Sequence, residues 1–137
     1  MALVFYFSAG NVVFTTKYGG MTVTGLAGAP FNFTWSFSGD VKTVDWGLTD
    51  DGGNYIENNG VLVSLDKNGP VSIAVPPAYS GRVSRSGDVS SGQVIFTLSQ
   101  IKSSDERFYG CRIKPIDAFD MEKFDSVFLA VEGEYLA

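Results

Sequence analysis

Between positions 31 and 37 the chain reads Phe31, Phe33, Trp35 and Phe37 in alternation with Asn32, Thr34 and Ser36. A period of two with every second residue large and apolar describes a strand with one face buried and one solvated. The pattern recurs at Val44, Trp46 and Leu48 after the turn residues Ser38-Gly39-Asp40, and again at Val94, Phe96 and Leu98. Phe108 to Ile113 and Val127 to Val131 supply late strands. Helical periodicity is almost absent, and Gly, Asn and Asp clusters interrupt the strands at short intervals. An all-β sandwich is the expected architecture, in one domain, since 137 residues suffice for one core and show no internal repeat.

Composition narrows the function. Eleven Phe, six Tyr and two Trp supply core and contact material, while a formal charge of −5 argues against nucleic-acid binding, which needs Lys and Arg. The chain contains no His, so the commonest general base and metal ligand is missing. No nucleophile elbow or phosphate loop is present, and enzyme activity is not expected. Asp50-Asp51-Gly52-Gly53-Asn54 with Glu57 gathers oxygen ligands that suit calcium, yet the spacing matches no known calcium loop and is what a solvated turn uses. No metal or cofactor is expected.

Cys111 is the only cysteine, and it closes the run Asp105-Glu106-Arg107-Phe108-Tyr109-Gly110-Cys111. That run resembles the sixth strand of an immunoglobulin variable-type (V-set) domain, where the Tyr forms a corner and the Cys bridges to the second strand. Gly28 to Trp35 resembles the start of strand B, with Trp35 where the first Cys would stand. Trp46 resembles the buried Trp of strand C. Tyr79 to Ser84 resembles the start of strand D, and the resemblance implies an ion pair between Arg82 and Asp105. The stretch from Trp46 to Arg82 has room for strands C′ and C″, at Val61 to Leu65 and Val71 to Val75, favouring the variable over the seven-stranded constant type.

The immunoglobulin-like sandwich so implied covers residues 12–131 and lacks the inter-sheet disulfide. Residues 1–11 then form an N-terminal edge strand or a leader remnant, and 132–137 a linker or tail. Two departures separate the chain from antigen receptors: the missing first Cys, and Phe124-Asp125-Ser126-Val127-Phe128 in place of the Phe-Gly-x-Gly bulge. The missing bridge would have closed a loop of about 75 residues, worth roughly 4 kcal/mol. Burial of Trp35 and its Phe neighbours, at roughly 1.5–3 kcal/mol per large side chain, is the expected compensation. Cys111 should be reduced and buried against Trp35 and Trp46, the core that Tyr109 completes.

Two surfaces are candidates for partner binding. Ile116, Phe119 and Met121 lie in the loop between strands F and G, where they either anchor a partner or fold back over their own core. Tyr55, Ile56 and Leu62 mark the C–C′ face. Asn32-Phe33-Thr34 is a glycosylation sequon, and alternation turns Asn32 outward on the opposite sheet. The resemblance implies a cell-surface glycoprotein, an adhesion or recognition receptor ectodomain whose membrane anchor lies outside this fragment. It is similar to the membrane-distal domains of the cnidarian allorecognition (Alr-type) family, which implies homophilic binding to the same domain on an opposing cell. The alternatives are an intracellular structural immunoglobulin domain of a scaffold protein and a heterophilic immune-type receptor domain.

Overall fold

A computed structural model describes residues 11–133. The edge strand expected around Ala2 to Phe7 lies outside the described residues, as does most of the expected tail. Ten strands are formed among the described residues: β1 (Val13–Thr16), β2 (Thr22–Leu26), β3 (Phe31–Ser38), β4 (Val41–Thr49), β5 (Ile56–Asp66), β6 (Gly69–Pro70), β7 (Val83–Asp88), β8 (Gln93–Leu98), β9 (Arg107–Pro115) and β10 (Lys123–Glu132). Short 3-10 turns at Pro77–Tyr79 and Ser103–Asp105 complete the regular structure.

The strands form two sheets, ordered β1-β3-β8-β7 and β2-β10-β9-β4-β5-β6. All pairings are antiparallel except β2 with β10. The fold is thus all-β with two sheets, consistent with an immunoglobulin-like sandwich. The first strands divide between the sheets: β1 pairs with β3, and β2 pairs with β10. Crossing from one sheet to the other takes a sharp bend, which Gly19 (φ 64°) and Gly20 (φ 79°) supply in the left-handed region.

Alternation explains the core. Phe33, Trp35 and Phe37 on β3 and Val94, Phe96 and Leu98 on β8 face inward from one sheet. Val44, Trp46, Leu48, Tyr109, Cys111, Ile113, Val127 and Leu129 face them from the other. Rings meet across the interface: Phe33 lies 5.4 Å from Trp46 and 5.1 Å from Tyr109, and Phe96 stacks on Trp46 at 5.1 Å. Phe33 and Phe96 also contact Trp35, so these two rings fill the space between the indoles.

Three expectations are corrected. Ile56 and Leu62, assigned to the contact face, are core residues with 8% and 1% exposure. The cause at Leu62 is a bulge: Trp46 pairs with Val63 but Gly47 with Val61, so Leu62 is an extra residue turned into the core. Ile56 opens β5 opposite Thr49 and is likewise covered. No strand forms at Val71 to Val75; β5 pairs instead with the two-residue β6. Pro70 has no N–H, and after the Val71 N–H donates to Ser64 O (2.8 Å) the chain turns away toward Pro76 and Pro77. At the other end, β10 runs to Glu132, one residue into the stretch expected as linker.

Candidate functional site

Beside Cys111, a hydrogen-bonded group joins the two sheets. Cys111 on β9 lies opposite Trp46 on β4 on one side and Asp125 on β10 on the other. Trp35, on the facing sheet, donates its indole Nε1–H to Asp125 Oδ2 at 2.7 Å. The same oxygen accepts the Tyr18 N–H at 2.7 Å, and Oδ1 accepts the Gly19 N–H at 2.8 Å. One carboxylate thereby joins both sheets and the β1–β2 crossover. Tyr18 reinforces the join, its hydroxyl accepting the Thr34 N–H at 2.9 Å and its ring meeting Trp35 edge-on at 5.3 Å. Trp35 and the Phe side chains Phe33 and Phe37 beside it are buried, as expected, and the Asp125 bond adds a polar link to that packing.

Cys111 is a free thiol, fully buried. Burial pushes its pKa well up, and the Asp125 and Asp45 carboxylates act in the same direction. The sulfur is therefore held protonated, the opposite of what a reactive thiolate needs.

Arg82 and Asp105 form a two-point ion pair, Nη2 with Oδ2 and Nη1 with Oδ1 (3.2 Å for the latter). Arg82 also donates to the carbonyls of Ala78, Ser99 and Gln100, at 3.0, 3.3 and 3.2 Å. Asp105 raises the Arg82 pKa through that hydrogen bond. The Tyr109 hydroxyl donates to Asp105 O at 2.7 Å, closing a tyrosine corner, and lies 3.2 Å from the Tyr79 hydroxyl. Desolvation first, then Tyr79, pushes the Tyr109 pKa far up. Every part of this cluster is occupied in holding the corner.

The outer face of the six-stranded sheet is the larger candidate surface. Asp45 is central and nearly covered; its Oδ2 accepts from Arg112 Nη2 (2.7 Å) and Nε (3.2 Å), and its Oδ1 accepts from Ser64 Oγ (2.6 Å). Beside this pair Phe124 lies over Gly110, where any Cβ would meet the ring at 2.6 Å. Phe108 and Phe128 meet edge-on at 5.1 Å. The β4–β5 loop folds back over them, Gly53 fitting against Phe108 where a Cβ would approach to 2.8 Å. Asp50 braces that loop by accepting the Asn54 N–H (2.6 Å) and Tyr55 N–H (3.2 Å), bonds that lower its pKa. Its oxygens serve the turn, and Glu57 pairs with Arg107 at 2.9 Å.

Exposed apolar residues lie at both loop ends of this sheet and near its β2 and β6 edges (Met21, Leu26 and Val71), while Val13 is exposed on β1 of the other sheet. Tyr55 is 59% exposed in the β4–β5 loop; Ile116, Phe119 and Met121 are 53%, 98% and 74% exposed in the β9–β10 loop. Of the two readings of that loop, the side chains project and do not fold back. Asn32 is exposed on the opposite sheet, its Oδ1 accepting from Thr97 Oγ1 at 2.7 Å. Asp125, the Asp45–Arg112–Ser64 group and the outward Phe residues were not singled out from sequence. For Asp125 a signal existed: alternation through Val127, Leu129 and Val131 puts position 125 on the inward face.

No protein-family model and no curated protein matches the chain. No helix among the described residues is long and apolar enough to cross a membrane.

Proposed function

We propose that the chain is a variable-type immunoglobulin-like domain of a cell-surface recognition receptor, binding a like domain on an opposing cell. The variable type is supported by the strand order. β1, β3, β8 and β7 correspond to A, B, E and D, while β10, β9, β4, β5 and β6 correspond to G, F, C, C′ and C″. The corner built by Tyr109, Asp105 and Arg82 supports the same reading.

Binding is carried by one observation: large apolar side chains are displayed at the loop end and rim of the six-stranded sheet. A ring held in water costs solvation free energy, and a binding partner recovers it. Asn32, the sequon residue, lies on the other sheet, so a glycan there leaves that surface free. The resemblance to cnidarian allorecognition receptors belongs to this proposal, as do an extracellular location and an anchor elsewhere in the full protein.

The test is clustering of beads coated at graded density with the domain alone. Self-binding gives clusters whose size grows with density; dispersed beads at the highest density, with the fold verified, would sink homophilic binding and leave a heterophilic receptor. The free, buried Cys111 favours a second reading, an intracellular scaffold domain, because a reducing compartment demands no bridge. Glycosylation of Asn32 on secretion from animal cells excludes that alternative.

A further inference from the structure

The connections β3–β4, β5–β6, β7–β8 and β9–β10 all lie at one end of the sandwich, where a projection and a hollow occur side by side. The projection is Phe119, 98% exposed. It is held in place: the Asp117 Oδ1 accepts the Phe119 N–H at 2.8 Å, and the Asp120 N–H donates to Asp117 O at 3.1 Å. Asp120 in turn accepts the Val12 N–H (2.7 Å) and the Met121 N–H (2.7 Å), tying the loop to the start of β1. The ring is therefore presented on a braced turn.

Three residues earlier in the same loop, Ile116 lines a hollow of about 270 Å³ with Val41 and Val89, rimmed by Asp40, Lys67 and Ser90. The Ile116 N–H donates to Asp40 O at 2.9 Å, fixing one wall. The hollow is open to solvent and wide enough to admit one large side chain. Lys67 on its rim has no ion-pair partner among the described residues, and neither has Asp117 beside the ring.

We propose that Phe119 of one copy enters this hollow on a second copy, reciprocally about a two-fold axis, with each Lys67 facing the other copy's Asp117. The inference deepens the self-binding reading above and rests on it. A second copy is the fitting occupant because one end of one chain carries both halves, the ring with Asp117 beside it and the hollow with the unpaired Lys67 on a rim it shares with Asp40. That is the condition for an isologous contact, in which residue i meets j and j meets i. Lys67 also gains the face of the incoming ring. An end-on contact of this size is weak for one pair and acts through many copies on apposed surfaces.

The test compares bead clustering and sedimentation for the wild type, Phe119→Ala, Lys67→Asp and Asp117→Lys, with melting curves verifying each fold. Phe119→Ala should lower the self-association constant by about tenfold or more, as loss of a central aromatic anchor does. Lys67→Asp and Asp117→Lys should each cluster poorly alone. Mixed together they should cluster with each other, because every reversed charge then meets its opposite. Wild-type clustering that persists undiminished in Phe119→Ala, or reversed variants that show no preference for each other, overturns the end contact while leaving self-binding intact. A wild type that neither clusters nor self-associates overturns both.

Discussion

Asp125→Ala should be among the most damaging single substitutions of a polar residue. The carboxylate accepts three N–H groups, and among the described residues no Lys or Arg pairs with it. Truncation orphans the buried Trp35 indole N–H, at about 1–3 kcal/mol. The Tyr18 and Gly19 N–H groups are only partly buried and can recruit water, adding about 0.5–1 kcal/mol each. Relief of the carboxylate's own desolvation subtracts some of this, leaving about 2–4 kcal/mol. For a domain of this size that lowers Tm by roughly 6–20 °C. Asp125→Asn keeps one carbonyl acceptor and should fall between, at about 1–2 kcal/mol. The assay is thermal and urea unfolding of the wild type, Asp125→Ala, Trp35→Phe and the double variant. A cycle coupling of about 1 kcal/mol or more is expected for a direct bond. Additive effects, or Asp125→Ala melting within a few degrees of the wild type, would refute the pin.

Three further outcomes are expected. Arg82→Ala leaves the nearly buried Asp105 carboxylate without its cation and should cost about 3 kcal/mol, read as a fall in urea midpoint; a change under about 0.5 kcal/mol means the pair is ornamental. Cys111 should resist a thiol reagent in native buffer and react fully in denaturant, so prompt native labelling would place the sulfur at the surface. Stability should fall at alkaline pH. The folded pKa values of Cys111 and Tyr109 are raised, so their contribution is complete below the unfolded values near 9 and 10 and is lost progressively above them. Unfolding free energies unchanged from pH 8 to 10.5 would contradict that sign.

What was legible from sequence tracks how local the physics is. The inward series Phe33, Trp35, Phe37 and Val44, Trp46, Leu48 follow from pleat geometry alone and are buried, but the outer face of β4, read as solvated, is covered too at Asp45, Gly47 and Thr49. The pairing of Arg82 with Asp105 followed from a family resemblance, and the ion pair is present. Leu62 was misread because a bulge shifts the register by one residue, and nothing in Val61-Leu62-Val63 announces it. The strand expected at Val71 to Val75 does not form because that segment, though of strand composition, lies beyond Pro70 at a sheet edge. β1 and β2 were not separated because their division depends on the Tyr18-Gly19-Gly20 crossover, which residues distant in sequence, Asp125, Ser126 and Trp35 among them, fix. A carboxylate at a core position reads as an exception until its three donors are seen together. The exposed loop end was half legible: residue types named Ile116, Phe119 and Met121, while projection depended on Asp117 and Asp120 bracing the turn.

Recognition of self by self is the claim on which the functional account depends. Two-colour bead mixing tests it most directly, with this domain on one colour and an unrelated variable-type domain on the other. Clusters of the first colour alone, dissolving when soluble domain is added in excess, are the predicted result. Mixed clusters would show unspecific adhesion, and beads of the first colour that stay single at high coating density would contradict the account.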